Sequence, residues 1–178
     1  MKQKLIIGGI VLAAILLIVV ALFSTRNHAI TLEENVAQAE SAIKVQEKRR
    51  FDLIPNLVDC VQEYDKHEYE TLVAVISART SLTDGDVNEI KTAINAVAEA
   101  YPELKSNENY KQLMTELATT ENLIANHRDG YNYSVRQYNQ YLRKFPNSMF
   151  LNITGYTAVN YTYLEYENVE EGLTNLFG

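Results

Sequence analysis

Apolar positions follow three different patterns along the chain. Residues 5–23 (LIIGGIVLAAILLIVVALF) contain no charged or polar side chain. At a helical rise of 1.5 Å per residue this run covers about 28 Å, close to the hydrocarbon thickness of a bilayer. From residue 31 to residue 146 the apolar positions recur at the three-and-four spacing of amphipathic helices. Beyond residue 146 the period is lost, and β-branched and aromatic residues such as Ile153, Tyr156, Val159, Tyr161 and Tyr163 take over.

The helical stretch divides into separate elements. Thr31 and Glu34 have capping-box spacing, and Leu32, Val36, Ala39 and Ile43 form one stripe, which predicts a first helix from about 31 to 50. Pro55, with Asp52 as a cap three residues before it, marks either a bend or a restart. A second helix is expected to continue to about Leu82, with Leu57, Val61, Tyr64, Leu72, Val75 and Leu82 among its buried positions, and to stop at Asp84-Gly85. Asp86 and Glu89 repeat the capping-box spacing before a short third helix with Val87, Ile90, Ile94, Val97 and Tyr101 on one face and Pro102 at its end. The last helix carries a heptad seam of Leu113, Leu117, Thr120, Ile124, His127, Tyr131, Ser134, Tyr138, Tyr141 and Phe145, closed by Pro146. That seam implies a helix about 55 Å long. Long helices joined by short turns bury their stripes most economically as an antiparallel bundle.

The expected organisation is therefore a basic start at 1–4, an uncleaved transmembrane anchor at 5–23, a linker at 24–30, a helical bundle at 31–146, and an acidic, Tyr-rich tail at 147–178. A cleavable leader would need a shorter apolar run and a small-x-small site, neither of which is present. Lys2 and Lys4 outweigh Arg26 across the span, so the positive-inside rule favours a cytoplasmic amino terminus and an extracytoplasmic bundle. The tail is read as a short strand or an extended segment lying on the bundle. The sequons at Asn132, Asn152 and Asn160 are read as incidental.

Charge narrows the partners. The chain has a formal net charge of −7, and removing Lys2 and Lys4 leaves 14 basic against 23 acidic residues, or −9, for the remainder. Nucleic acid and anionic lipid surfaces both require a basic face, which argues against them as partners of the bundle. Cys60 is the single cysteine, so no intramolecular disulfide is available.

Candidate chemistry is sparse. Glu63, His67 and Glu70 would share a face of one continuous helix and are weak candidates for a metal, but paired-iron bundles use Glu-x-x-His repeats that are missing here. His127, among Thr120, Tyr131 and Ser134, reads as part of a polar layer that sets helix register. Cys60 reads as a small buried hydrophobe. No phosphate-binding glycine loop, CxxC or nucleophile-elbow motif occurs, so neither an enzyme nor a cofactor is expected. Lys48, Arg49, Arg50, Asp52 and Asn56, around the proline turn, are the candidates for contact with a protein partner, although the cations could equally form ion pairs with the acidic helix faces.

Those same residues carry a resemblance. KRRFDLIPNLV (48–58) followed by HEYETLVAVISAR (67–79), and then AYPELKSNENYKQLMTELATTENLIANHRDGYNYSVRQYNQYLRKFP (100–146), resemble the two ordered motifs of the LemA family of bacterial membrane proteins. The resemblance implies an amino-terminal anchor followed by an antiparallel helical bundle. It brings no catalytic residues with it. The chain departs from the family pattern at Ala42–Glu47, where relatives often carry Trp and Asp, and in a tail without the usual glycine-rich, proline-bearing ending.

The sequence thus points to an all-α protein in which a transmembrane helix precedes a long-helix antiparallel (four-)helix bundle. Its expected role is non-enzymatic: a single-pass protein of the bacterial cell envelope that binds other proteins, as a scaffold or accessory, with lipid contact through residues 5–23 and homo-oligomerisation as one form of assembly. The alternative is an envelope sensor that holds a small ligand or metal between bundle helices, near His67 or His127.

Overall fold

A computed structural model describes residues 2–78 and 83–165. Six helices occupy most of them: α1 (Lys2–Val61), α2 (Lys66–Ser77), α3 (Asp84–Ala100), α4 (Pro102–Ser106), α5 (Glu108–Arg143) and α6 (Asn147–Ile153). Among the described residues there is no strand. Leu82, expected at the end of the second helix, and residues 166–178 of the tail lie outside the described residues. The contacts divide the chain into two compact units, one of Met1–Glu40 with Arg128–Gly178 and one of Ser41–His127.

The first helix differs in part from expectation. Residues 24–30, expected to be a linker, lie inside α1, the end expected near Arg50 is absent, and of the two courses open at Pro55 the restart at Asp52 is not taken, because α1 continues to Val61. An interior proline loses one backbone hydrogen bond and costs about 3 kcal/mol or more. Ile54, Leu57 and Val58, on the turns around Pro55, are fully or almost fully buried, and burying side chains of this kind contributes about 1.5–3 kcal/mol each, enough to hold the helix together. Thr31 is not a cap either. Its hydroxyl donates to the Asn27 carbonyl one turn back, at 3.0 Å.

Caps explain the other boundaries. Asp65 begins α2, its carboxylate accepting from the Glu68 backbone N–H at 3.0 Å. Helix α3 begins on Thr83, whose hydroxyl accepts from the Asp86 N–H while the Asp86 carboxylate accepts from the Thr83 N–H. The box therefore lies three residues earlier than Asp86/Glu89. Asp84-Gly85, expected to stop a helix, forms the first turn of this one. The Asn107 side chain accepts from the Tyr110 N–H at 3.2 Å and so caps the start of α5.

In the Ser41–His127 unit, Ile54, Leu57, Val58 and Val61 of α1 meet Leu72 of α2, Val87, Ile90, Ile94, Val97 and Ala98 of α3, Leu104 of α4, and Tyr110 and Leu117 of α5 in one core. The expected faces of α3 and α5 supply most of these contacts. Tyr101 is an exception, at 37% exposure, because it lies at the junction of α3 and α4.

In the other unit Thr25, Ala29 and Val36 of α1 are buried, as are Tyr131, Val135 and Tyr138 of α5 and Leu151 of α6. Phe145, the last residue of the expected seam, is 80% exposed because α5 ends at Arg143 and the chain turns at Pro146. Helix α6 closes in a Schellman motif: the Tyr156 N–H donates to the Leu151 carbonyl, the Gly155 N–H to that of Asn152, and Gly155 takes φ +64°. The chain then leaves the helix as an extended segment that packs on α1 and α5. That is the second of the two conformations open to the tail.

Candidate functional site

The basic cluster on α1 separates into side chains with different surroundings. Lys48 pairs with Asp52 one turn on, its Nζ at 3.1 and 3.3 Å from the two carboxylate oxygens, and both side chains are largely exposed. Arg49 reaches Glu116 of α5 at 3.7 Å, also at the surface. The Asn56 side chain donates to the Asp52 carbonyl at 3.3 Å. Arg50 points the other way. Its side chain is 4% exposed, with Nη1 at 2.6 Å from Asp84 of α3 and 3.6 Å from Glu121 of α5.

Arg50 therefore ties α1, α3 and α5 together, while Lys48, Arg49, Asp52 and Asn56 face solvent. Their ion pairs are solvated and individually weak. The Glu121 Oε1 and Gln46 Oε1 atoms are buried without a hydrogen-bond partner. Sequence reasoning missed Asp84 and Glu121 because helix periodicity does not show which distant carboxylate faces a given cation.

The expected metal candidates do not share a helix. Glu63 lies in the turn between α1 and α2, while His67 and Glu70 are on α2, and all three are exposed. Among the described residues no group of three or more His, Cys, Asp or Glu side chains is placed to hold a metal ion. The polar layer expected around His127 is organised differently too: the Thr120 hydroxyl donates to its own helix at Glu116 O, 2.8 Å, and that of Ser134 to Gly130 O, 3.0 Å. Cys60 is partly buried against the core, and burial first, then the charge of Asp59, pushes its thiol pKa up. A raised pKa keeps the thiol protonated and a poor nucleophile.

A second cluster, in the Met1–Glu40 with Arg128–Gly178 unit, was not foreseen. The Val159 N–H donates to the Tyr138 hydroxyl at 2.9 Å, the Tyr138 and Tyr156 hydroxyls are 3.2 Å apart, and Tyr156 donates to Glu33 at 2.6 Å. With Tyr138 donating to Tyr156, these bonds form one directional chain that ends on a carboxylate. Burial first, and then the bond to Glu33, raises the Tyr156 pKa far above its ordinary value. The Tyr161 ring meets Tyr138 edge-on at 5.3 Å. Asn132 grips the tail from α5, its amide donating to the Leu164 carbonyl and its oxygen accepting from the Leu164 N–H, both at 2.8 Å. That amide, the nitrogen of the first sequon, is already committed within the fold. Tyr156, Val159 and Leu164 lie in a tail with no repeating pattern, so no period predicts these contacts.

A cleft of about 410 Å³ lies in the same unit, lined in part by His28 and Asn35 of α1, Gln137 and Tyr141 of α5, and Lys144 just beyond it. Nearer the amino terminus, α1 has an 18-residue window of mean hydropathy 3.3 with none of it buried, so by length and composition it can cross a membrane.

An exposed apolar run at the start of α1, followed by helices with the basic and proline-bearing motif on one and the Asn-Glu-Asn and Tyr-Asn motifs on another, can be compared with known proteins. The LemA family model matches residues 39–173. The chain belongs to the LemA family. Protein LemA of Metamycoplasma hominis is 26% identical over 164 residues, covering 85% of this chain and 75% of that protein. Magnetosome protein MamQ of Magnetospirillum gryphiswaldense is 35% identical over 78 residues, or 44% of this chain and 29% of that protein. Magnetosome protein MamQ 2 of Paramagnetospirillum magneticum matches to the same extent. The chain thus spans under a third of the length of the magnetosome relatives. The LemA match takes in Arg50, Asp84 and Glu121 as well as the Tyr138–Tyr156 pair, while Glu33, on which the second cluster ends, lies before the matched region.

Proposed function

We propose that this LemA-family chain is a single-pass, membrane-anchored helical protein of the bacterial envelope that acts by binding other proteins and catalyses no reaction. The observation that carries the reading is the pairing of an unburied apolar run with an acidic helical region in the same chain. The run accounts for attachment. The helical region offers exposed charged side chains at Lys48, Arg49 and Asp52. The partner surface is Lys48, Arg49, Asp52 and Asn56, whose exposed pairs can open at little cost. The amino terminus lies in the cytoplasm and the helical region outside, following the lysine bias at the start of the span. Self-association is one form such binding can take, and light scattering of the detergent-solubilised chain reads it directly.

The test is crosslinking in cells followed by purification of the full chain from membranes, comparing wild type with a Lys48→Glu, Arg49→Glu double variant. Specific proteins should be recovered with wild type and lost with the double variant. Recovery of the same proteins with both would remove this surface from the assignment, and a chain found in the soluble fraction would remove the anchor.

A further inference from the structure

The carboxyl end of α5 and the short helix after it are pinned to the part of α1 that follows the apolar run. The Tyr141 hydroxyl donates to the Thr25 carbonyl at 3.2 Å, and the His28 and Tyr141 rings are 4.6 Å apart. Arg26 donates to the Thr154 carbonyl, at the cap of α6, at 3.4 Å. These α1 residues lie two to five positions beyond Phe23, or about 3–7 Å along the helix. The head-group layer of a bilayer is about 5–7 Å thick on each side. If the apolar run spans the hydrocarbon, this corner lies at the level of the head groups.

Two features of the corner suit that level. Phe145, Met149 and Ile153 are 80%, 43% and 64% exposed, while Leu151 of the same short helix is 4% exposed and takes up its core contact. Met149 and Ile153 of α6, and Phe145 just before it, thus have solvent or lipid as their environment, while Phe150 is half-buried. Beside them, the cleft of about 410 Å³ is lined by His28, Tyr133, Gln137, Gln140, Tyr141 and Lys144 among others, with one cation and no carboxylate, in a chain whose net charge is −7. A second groove shares His28 and continues along α1 past Phe23 to Val20 and Val19. A polar, cationic cleft that runs out along α1, past Asn27 and Ser24, to apolar Phe23, Val20 and Val19 matches the shape of an amphiphile. Tyr rings at the junction are the usual residues of the membrane interface.

We propose that this corner is a lipid-contact site: Phe145, Met149 and Ile153 enter the leaflet that holds the anchor, and the His28–Lys144 cleft takes the phosphate head group of a phospholipid. The proposal rests on the membrane anchoring proposed above. It is compatible with an acidic helical region because it needs one cation in one cleft rather than a basic face. Lys144 makes the charge-assisted contact with the phosphate, the glutamine amides add neutral donors, and the acyl chain follows Phe23 and Val19.

The full chain carrying Cys60→Ala is reconstituted into phosphatidylcholine vesicles containing phosphatidylglycerol, and flotation reports the anchor separately. A nitrobenzoxadiazole probe is attached at Met149→Cys in one variant and at Gln38→Cys, fifteen residues past Phe23 on the exposed side of α1, in another. Lipids labelled near the head group with a spin-label quencher should quench the first probe and leave the second bright, and Lys144→Glu should abolish most of the difference. Ile153→Cys, read in the same way, covers the case in which substituting Met149 disturbs α6. Flotation with equal quenching at positions 149 and 38 would overturn the lipid contact and leave the anchor standing; failure to float would overturn the anchor. Quenching indifferent to Lys144→Glu, or released by inorganic phosphate, would overturn the head-group assignment, the latter result making the cleft a soluble-anion site.

Discussion

Replacing Arg50 with methionine keeps much of the side-chain volume and removes the charge that joins three helices. Two carboxylates would then face each other, Asp84 at 34% and Glu121 at 30% side-chain exposure, with one Glu121 oxygen already buried and unpartnered. Removing one member of a fully buried ion pair costs about 3–5 kcal/mol, because the remaining charge is left uncompensated. Water reaches both carboxylates in part, which places the expected cost at the lower end, about 3 kcal/mol. That is more than a hundredfold in the folding equilibrium. Lys48→Met breaks a pair whose ends are 76% and 58% exposed, and should cost at most about 0.5 kcal/mol. Urea unfolding of the full chain in mild detergent, followed by circular dichroism, reads both as shifts in midpoint at constant slope. A double variant, Arg50→Met with Asp84→Asn, should recover part of the loss by removing one of the two facing charges. Equal midpoints for Arg50→Met and Lys48→Met would refute the argument that Arg50 is a structural residue and return it to the partner surface.

Three further outcomes follow from the caps and the tail. Tyr156→Phe should cost about 1 kcal/mol at neutral pH, the worth of a partly exposed hydrogen bond to a carboxylate. The folded pKa of Tyr156 is raised, so its contribution is complete below the unfolded value near 10 and fades as pH rises above it; the stability gap between wild type and variant should therefore narrow in alkali, and a gap that widens there would contradict the assignment. Thr83→Ala should cost about 1 kcal/mol and speed amide exchange in the first turn of α3, with Thr83→Ser close to neutral; unchanged exchange in the alanine variant would rule out the capping box. Gly155→Ala meets no atom within 4 Å but keeps φ at +64°, so its cost of about 1 kcal/mol is purely conformational. Limited proteolysis should cut the tail of that variant faster than in wild type, and an unchanged rate would show that the Schellman turn does not hold it.

What the sequence revealed depended on how local the determining interactions are. The faces of α3 and α5 were legible because Val87, Ile90, Ile94, Leu117, Ile124 and Tyr138 recur at helical spacing and all are buried. The continuity of α1 was not, since Pro55 is a valid local stop and only burial of its neighbours against other helices overrides it. Asp84-Gly85 reads equally well as the end of one helix or the first turn of the next; the Thr83–Asp86 box selects the second. Helix α6 has seven residues, too few to show a period. Lys48, Arg49 and Arg50 look alike in sequence, yet Arg50 alone is buried, and its pairing with Asp84, 34 positions away, leaves no local signal.

The Asn132 side chain holds Leu164 by the N–H and C=O of its main chain. A side-chain carboxamide presents the same donor and acceptor as a peptide group, so Asn132 acts as one borrowed rung of a ladder. Such a latch is blind to the identity of the residue it holds. Position 164 can exchange one side chain for another without loosening the grip, provided it keeps its N–H, so proline alone is barred there. Position 132 has no such freedom: aspartate would lack the donor, and leucine would lack both groups. The outward-facing residues of the tail are in this way left open to change, while the latch that holds them in place stays constant.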